Sequence, residues 1–511
     1  MPIVTIPAVG QYGMRADESE QELPINAWSN VTNMRMRDGF AERAAGTFKL
    51  FATPVVTPYW VAPYATNATT YVVHAGLSAV YVDDGTTRTN ITATIPPTGA
   101  IDDRWTGGSL NGVLVVNNGQ DVPQFWNGTG LLAAIPGWNT AWRCRVLRPF
   151  KNYMVALYVT KGGNPYPHMV KWSHACDPGA ITAVGGWNEA DPCSDAGEVD
   201  LAETTDKLVD CLPLGDALCI YKERSMYLMR YVGGQSIFAF QRLPGSQGCL
   251  ARGCIAVTPV GHVVLTTGDL ILHSGQGAQS LVSGKMRRWL FAQMDTTNAV
   301  RSFLVANAAT NEVWVCFPTT GNSTCNLALV WNWLDQTFAV RDLPGVTFGT
   351  TAALTPTSPT ETWSSDTQIW SMDATKWQQV NFNQVEARLV FSGGNIVLAD
   401  SGTTNDGATY TASLERTGLA FDNPYSVKML RSVYPRIDGP TGETLTIEIG
   451  AHMDMESSVT WSAPVTYTIG STFKADSFAT GRFLALRITS TSAFAWRIKS
   501  IDLDVLTLGA Y

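Results

Sequence analysis

Apolar and polar residues alternate along much of the chain in a pattern typical of short β-strands joined by turns. Between about residues 70 and 420 one unit recurs: an apolar strand, a polar turn rich in Gly, Asn or Asp, and a second apolar strand. In Gly112–Trp126 the turn contains Asn118-Gly119, a pair that tolerates the positive φ angles of hairpin turns. Val263–His273 repeats the same arrangement. The pattern therefore predicts a series of β-hairpins.

The repetition of this unit predicts the architecture. Seven such units can be distinguished, at an uneven spacing of roughly 40 to 80 residues, whereas propeller blades are four-stranded sheets of about 40 to 50 residues. Insertions in the blade loops would account for the difference. We therefore expect an all-β fold with a β-propeller of about seven blades at residues 70–420. A pair of β-sandwiches with long hairpins is the alternative.

One segment has the period of a helix instead of a strand. Ser283–Asp295 places apolar side chains on one helical face, and Ser283 is a suitable N-cap residue. The apolar residues of this face are Met286, Trp289, Leu290 and Met294. We expect one short helix here, packed on a blade.

The two ends of the chain differ from the repeats. Residues 421–511 contain strands with a cleaner alternation, so that Leu445, Ile447 and Ile449 share one face, and the phase changes near Ser500 as at a β-bulge. This pattern predicts a small C-terminal β-sandwich domain. Residues 1–69 are predicted to form an N-terminal segment that closes or docks the propeller. Loss of residues 1–46 should then prevent folding, while loss of Phe421–Tyr511 should leave a folded propeller.

Composition and charge restrict the function. Charged residues make up 15% of the chain, against about 25% in an average globular protein, which suits subunits that bury their sides against neighbours. The net charge is -8, from 35 basic and 43 acidic residues, so no overall positive field attracts nucleic acid or an anionic membrane. Met1–Gln11 lacks the basic start and apolar core of a signal peptide, which favours a cytoplasmic site of synthesis.

Candidate metal and redox residues do not form a recognisable pattern. His168, His174, Cys176 and Cys193 fit no zinc-ligand spacing, and the nine cysteines include no CxxC pair. Cys249 and Cys254 could form a redox pair, although buried thiols are the more common outcome. We predict no metal site and no cofactor, and we expect most of the cysteines to be buried thiols.

Catalytic motifs are also not found in the sequence. There is no G-x-S-x-G, no P-loop and no H-E-x-x-H. Asp83–Thr89 and Thr404–Tyr410 partly resemble the Asp-containing turns of glycan-hydrolysing propellers, but Asp-Gly pairs are common in any hairpin-rich protein. We therefore predict no catalytic residues and a protein that is not an enzyme.

Two basic stretches could contact DNA. They are Arg143–Lys151 and Lys285–Arg288. Solvated faces or subunit interfaces are the more common place for such clusters. Contact with DNA from either stretch is therefore an alternative and not the main interpretation.

Three stretches resemble the tail nozzle proteins, or packaged-DNA stabilisation proteins, of short-tailed bacteriophages (podoviruses). The first, Leu23–Gly46, contains Leu-Pro-Ile-Asn followed by Asp38-Gly39 and Arg43. The second runs from Gly215 through a Tyr-rich and an aromatic strand to Gly275. The third is an alternating strand pair at Arg482–Val505.

The resemblance implies a structural virion protein at the tail tip, assembled in the cytoplasm of the bacterial host. It implies a homo-hexamer below the portal, in contact with tail adaptor or hub proteins and with tail fibres or spikes. Such a ring closes the DNA channel, retains packaged double-stranded DNA, and conducts it with weak contact during ejection, without membrane insertion by this chain alone. The alternatives from other functional classes are a glycan-degrading tail propeller and a receptor-binding tail propeller.

Overall fold

Strands dominate the fold. A computed structural model describes residues 3–66, 70–177, 180–181, 186–234, 236–243, 245, 247–352, 387–421 and 423–510. Within these residues it contains 39 strands, one α-helix and one short 3-10 helix. In the same part of the chain no helix is long and apolar enough to cross a membrane.

Five four-stranded antiparallel sheets follow one another along the chain, each built from consecutive strands. The first two contain β6–β9 (Trp60–Ala65, Thr70–Ala75, Val80–Asp83, Arg88–Asn90) and β10–β13 (Thr106–Leu110, Val113–Asn117, Gln124–Trp126, Ala133–Ala134). The next two contain β14–β17 (Trp142–Phe150, Tyr153–Lys161, Asn164–Trp172, Gly197–Asp200) and β18–β21 (Leu208–Leu214, Ala217–Lys222, Met226–Tyr231, Phe238–Arg242). The fifth contains β22–β25 (Ile255–Thr258, Gly261–Leu265, Leu270–His273, Ala278–Ser280).

Two further sheets share one long strand. The sixth sheet contains β26–β29 (Phe303–Asn307, Glu312–Phe317, Cys325–Asn332, Phe338–Ala352). The second half of β29 leaves β28 and pairs with β30 (Arg388–Gly393), which pairs with β31 (Ile396–Ala399). The outer strand of this seventh sheet is β5 (Thr47–Lys49), which comes from the N-terminal segment. The propeller is therefore closed by a strand from the opposite end of its sequence, which removes an unpaired edge.

The first strand of each sheet lies next to the first strand of the following sheet. β10 is adjacent to β14, β14 to β18, β18 to β22, and β22 to β26. β26 and β6 both lie against β29, and the first two sheets share a single hydrophobic cluster. This arrangement is a β-propeller of seven four-stranded blades with seven inner strands around one axis, and it confirms the predicted fold class.

The remaining strands form a β-sandwich from both ends of the chain. One sheet has the order β3-β4-β39-β33-β37, with β1 also paired to β39, and the other has the order β2-β32-β38-β34 with β35 and β36 beside β34. The N-terminal strands are β1–β4 (Ile3–Ile6, Asn30–Thr32, Met34–Arg37, Phe40–Arg43). The C-terminal strands are β32–β39 (Ala412–Leu419, Ser426–Asp438, Thr444–His452, Thr460–Trp461, Val465–Thr468, Ala475–Gly481, Phe483–Ser490, Arg497–Ala510).

The alternating C-terminal residues face the interior of this sandwich. Leu445, Ile447 and Ile449 are each 1% exposed, as the sequence predicts. The predicted bulge near Ser500 is also confirmed, because the pairing of β33 with β39 changes register at this point. One-sided burial of this kind is what a two-layer β structure requires.

The strand pairing divides the chain differently from the predicted segments 1–69, 70–420 and 421–511. The boundary at residue 69 falls inside the hairpin of β6 and β7, which pair from Trp60 onwards. The boundary at residue 421 separates β32 from its sandwich partner β38. Of the N-terminal segment, β5 closes the propeller while β1–β4 belong to the sandwich.

Two local predictions need correction. The helix α1 forms, but it spans Arg287–Gln293 with Met286 at its N-cap and not Ser283, and no side chain caps it. Buried Met286 and Leu290 pack it into the core as expected. Gly119 has the predicted positive φ, but Asn118 does not. The side-chain oxygen of Asn118 accepts hydrogen bonds from the backbone N–H groups of Gln120 and Asp121, within a loop between β11 and β12 that is wider than a two-residue turn.

Candidate functional site

The basic stretch Arg143–Lys151 contains most of β14, the inner strand of the third blade. Its arginines contact other groups of the same chain. Arg143 donates a 2.8 Å hydrogen bond from Nε to the Gln120 carbonyl oxygen. The guanidinium of Arg145 is exposed and lies 4.1 Å from the centre of the Tyr158 ring. This stretch is therefore not a continuous open surface for DNA.

The third arginine of the stretch joins several blades through one carboxylate. Arg148 donates from Nε and Nη2 to the two oxygens of Asp210 at 3.1 and 2.9 Å. Asp210 is fully buried and also accepts hydrogen bonds from the backbone N–H groups of Cys211 and Gly253. Burial of Arg148 opposes its charge, but attraction to Asp210 outweighs burial and raises the pKa of the guanidinium. The pair links the third, fourth and fifth blades.

The second basic stretch is located elsewhere. Lys285–Arg288 lies at the start of α1, where Arg287 donates to the Gly268 carbonyl oxygen at 2.8 Å. Arg288 donates from its backbone N–H to the carboxylate of Asp17 at 2.7 Å. This stretch packs the N-terminal segment against the fifth blade and does not join the first stretch in one site.

A further arginine reaches across the propeller axis. Arg252 precedes the inner strand of the fifth blade, and its Nη1 donates to the carbonyl oxygens of Arg104 and Arg145, both at 2.9 Å. Its Nη2 donates to the Asp102 carbonyl oxygen at 3.1 Å. Burial, followed by the nearby charge of Arg104, lowers the pKa of Arg252 to about 10. The fifth blade is thereby connected to the second and third.

The sixth blade is connected to the second in a similar way. Arg301 donates from Nε to the Asp102 carboxylate at 2.7 Å and from Nη1 to the Ser323 carbonyl oxygen at 3.0 Å. Arg104 donates to the Val300 carbonyl oxygen at 3.5 Å. We call the charged residues of these bridges the axial cluster, which consists of Asp102, Arg104, Arg148, Asp210, Arg252 and Arg301.

The positions of these residues follow from the fold. Most lie in the connections that lead from the outer strand of one blade to the inner strand of the next, and all such connections converge on one end of the axis. Gly253 permits the close approach, because its φ is +83° and an added Cβ would lie 3.3 Å from the ring of Phe348. Protein groups therefore bridge the axis at this end.

The sequence contains no direct signal for the axial cluster because, apart from the neighbours Asp102 and Arg104, its members are separated by tens of residues or more. Arg148 was recognisable as part of a basic stretch, but Asp210, Arg252 and Arg301 stand alone in the sequence. Chemically, the cluster consists of guanidinium groups held by carbonyl oxygens and carboxylates. Such an arrangement joins blades and can attract an anion, but it supplies neither a nucleophile with an adjacent base nor a pair of free carboxylates.

The candidate metal ligands do not form a common site, and Nδ1 of His168 is buried without a hydrogen-bond partner. His174 accepts a 2.9 Å hydrogen bond at Nδ1 from the Asp195 backbone, Cys176 donates to the His174 carbonyl oxygen, and Cys193 is exposed. Across the described residues, no group of three His, Cys, Asp or Glu side chains is placed to hold a metal ion.

The cysteines are free thiols, and all but Cys193 are buried, as the sequence predicts for most of them. Cys249 donates to the Ala251 carbonyl oxygen at 3.1 Å, and Cys254 to that of Ser302 at 3.2 Å. Burial raises the pKa of Cys254 to about 12, which leaves the thiol protonated and unreactive at neutral pH.

The two Asp-containing turns have structural roles. Asp84 accepts hydrogen bonds from the backbone N–H groups of Thr86 and Thr87, and these bonds hold the pKa of its carboxyl well below the usual range. In the other turn, Asn405 and Ala408 are joined by reciprocal backbone hydrogen bonds. The interpretation of both segments as turns is confirmed.

A second buried ionic network joins the sandwich to the propeller. Arg35 of β3 donates from Nε and Nη2 to the carboxylate of Glu312 at 2.7 and 3.0 Å, and from Nη2 to Asp400 at 2.6 Å. Arg35 and Glu312 are only 7% and 2% exposed. Burial opposes the charge of Arg35, but its two carboxylate partners raise its pKa above the ordinary value. The N-terminal segment is thus fixed to the sixth and seventh blades.

Comparisons with known proteins do not identify a family for this chain. No family model and no curated protein sequence matches the chain. Among solved structures, the chain is similar to the computationally designed Ika8 protein, with 12% identity, 72% of this chain and 96% of that chain covered, and a TM-score of 0.38. It is also similar to the WD40 domain from Toxoplasma gondii coronin, with 9% identity, 73% and 86% covered, and a TM-score of 0.36.

Proposed function

We propose that this chain is the tail nozzle subunit of a short-tailed bacteriophage, a structural protein without enzymatic activity. Six copies would form a ring at the tail tip, below the portal and its adaptor or hub proteins and in contact with tail fibres or spikes. The ring would retain packaged DNA and conduct it during ejection.

The observation that carries this proposal is that the three stretches resembling nozzle proteins contribute to one hydrophobic core. Trp28 and Met34 of Leu23–Gly46 belong to the same buried cluster as Tyr221 of the second stretch and Leu486 of the third. The first and third stretches are also joined directly, because β4 pairs with β39. The resemblance therefore involves residues that share one buried cluster across the sandwich and the propeller, although they are distant in sequence.

The closed propeller axis fits this role. Because the axial cluster bridges the blades, DNA in this proposal passes through the space that the six subunits enclose and not through the axis of one propeller. A conduit that neutralised many phosphates would bind DNA tightly. The net charge of -8 favours the weak contact that passage requires.

The sandwich offers apolar surface for contacts between subunits. Phe473 and Phe478, near and on the outer strand β37, are 83% and 75% exposed. Tyr425 is 71% exposed, and Leu508 at the end of β39 is 50% exposed. Exposed apolar groups in such number are a common feature of protein interfaces. We assign them to the sides of the ring or to neighbouring tail proteins.

The assembly can be tested by electron microscopy. Negative-stain or cryogenic images of the virion, with this chain labelled by an antibody or a small fused domain, should show six-fold density at the distal tail. The portal of the same particles serves as an internal symmetry reference. Three-fold density for the labelled chain, or its absence from the tail, would contradict the nozzle proposal.

DNA affinity provides a second prediction. The isolated protein should bind duplex DNA no more tightly than the weak non-specific range, roughly 10⁻⁴ M at physiological salt. Fluorescence anisotropy with a labelled duplex measures this value. Arg145→Ala tests the basic stretch without disturbing the fold, because the side chain of Arg145 is exposed. Replacement of Arg148 would instead break its ion pair with Asp210. Micromolar binding that Arg145→Ala abolishes would show that the basic stretch is a DNA site.

A glycan-degrading or receptor-binding tail propeller is the alternative. Incubation of the purified protein with host capsule or lipopolysaccharide, followed by an assay for new reducing ends, separates the enzyme from both other functions. Asp84 is engaged in its own turn, so this carboxylate does not favour the enzyme.

A further inference from the structure

A small cavity lies beside the axial cluster, between the connections that lead into the first, second, sixth and seventh blades. Its volume is about 70 Å³. One water needs about 10 to 15 Å³ by this measure, so the cavity can hold several waters or one small polyatomic anion. The residues that matter for its chemistry are Tyr59, Asp103, Arg104, Arg301, Ser323 and Thr324.

Arg104 is the exceptional residue of this wall. Arg104 is only 7% exposed, and its Nη2 is buried without a hydrogen-bond acceptor. Among the described residues it forms no ion pair, and the 3.5 Å contact with the Val300 carbonyl oxygen is long. A buried guanidinium without a counter-ion is strongly unfavourable, so an anion close to it would stabilise the folded protein.

Within the described part of the chain, Arg104 differs from Arg301 in having no carboxylate partner. Arg301 is paired with Asp102 at 2.7 Å, so its charge is already compensated. Both oxygens of Asp103 already accept hydrogen bonds, from Gln120 Nε2 at 2.8 Å and from the backbone N–H of Ala100 at 2.9 Å. Neither Asp103 oxygen accepts a hydrogen bond from Arg104, so Nη2 of Arg104 has no carboxylate partner in this wall.

The remaining wall combines apolar side chains with residues that carry hydroxyl groups. Tyr59, Ser323 and Thr324 lie in the wall beside Leu77, Ile101, Trp105 and Val346. Arg301 also lines the cavity, held in place by Asp102. Guanidinium groups and hydroxyls are the donors that bind tetrahedral oxyanions in proteins.

We propose that this cavity is a binding site for one small inorganic oxyanion of the phosphate or sulfate type. The anion would compensate the Arg104 charge and join the connections of four blades at the axis. The cavity is too small for a segment of nucleic acid, so the ligand is the free anion and not a backbone phosphate of DNA.

Isothermal titration calorimetry of the full-length protein with inorganic phosphate, in chloride buffer of constant ionic strength, tests the proposal. One phosphate should bind per chain with a heat that saturates, and the melting temperature should rise with the logarithm of the phosphate concentration, by about 2 °C at phosphate well above the Kd. A short single-stranded oligonucleotide at equal phosphate concentration should not reproduce the effect. The absence of binding heat with the wild-type protein would overturn the proposal, whatever the behaviour of any variant.

Substitution of Arg104 separates the site from general salt effects. Phosphate and sulfate stabilise most proteins by exclusion from their surface, so each variant is compared in the same salt series. Arg104→Met should keep its stability in chloride but lose both the saturable binding heat and the phosphate-dependent increase in melting temperature. Arg436→Met, at an exposed position on the sandwich, should retain that increase. An equal phosphate response in wild type and in Arg104→Met would show that the anion binds elsewhere or only weakly.

Discussion

A chain lacking residues 1–46 should be insoluble or should lose cooperative thermal unfolding. The deletion removes β1–β4 from the sandwich, including Trp28 and Met34, which are fully buried, and Met36, which is 2% exposed. Burial of one large apolar side chain contributes about 1.5 to 3 kcal/mol, while a typical domain is stable by about 5 to 15 kcal/mol. The loss of several such side chains therefore exceeds much of the available stability.

The deletion also leaves charges behind. Without Arg35, the carboxylates of Glu312 and Asp400 remain in the junction without their main partner. Arg35→Met in the full chain is the matched control, since it removes the charge but keeps the strands, and it should be destabilised yet still fold. The measurements are soluble yield and the sharpness of thermal unfolding by circular dichroism. A soluble deletion variant with a cooperative transition would mean that residues 1–46 only dock other proteins.

The structure changes the companion expectation for the C-terminus. The sequence predicts that the propeller folds without Phe421–Tyr511, but this deletion removes β39, the partner of β1 and β4, and β38, the partner of β32. The same sandwich core would be exposed. We therefore expect this deletion also to aggregate, and a fragment that retains only β5 to β31 is the appropriate test of whether the propeller folds alone.

Local features of this fold could be predicted from the sequence because they depend on neighbouring residues. The alternation of Leu484, Leu486 and Ile488 predicts a strand with one buried face, and all three side chains are buried. The apolar period around Leu290 likewise predicts α1. These patterns depend on the two-residue and 3.6-residue periods of strands and helices.

Features that join distant parts of the chain could not be derived in the same way. The pairing of Ile3 with Asp504 has no signature in either segment. Closure of the propeller by an N-terminal strand was expected in general terms, but the strand that closes it, β5, begins just after the stretch that suggested it. The axial cluster cannot be predicted for the same reason, because Arg148 and Asp210 lie in different blades and 62 residues apart.

Asp210→Ala should be the most damaging single substitution in the axial cluster, with a loss of roughly 3 to 5 kcal/mol in the free energy of unfolding. The change leaves Arg148, whose side chain is 14% exposed, without its carboxylate and removes the acceptor for the Gly253 backbone N–H. The midpoint of urea unfolding, followed by tryptophan fluorescence, measures the loss. Asp438→Ala is the control, because its ion pair with Arg497 is exposed on both sides and should contribute less than about 1 kcal/mol.

The double variant Arg148→Met/Asp210→Leu distinguishes loss of a partner from loss of the pair. Replacement of a buried ion pair by apolar side chains of similar size is often neutral, so this variant should recover much of the stability that Asp210→Ala loses. Recovery would show that the cost lies in the unpaired Arg148 charge. If Asp210→Ala unfolds at the same urea concentration as Asp438→Ala, the axial cluster does not hold the blades together, and the closed axis would have to be explained by blade packing alone.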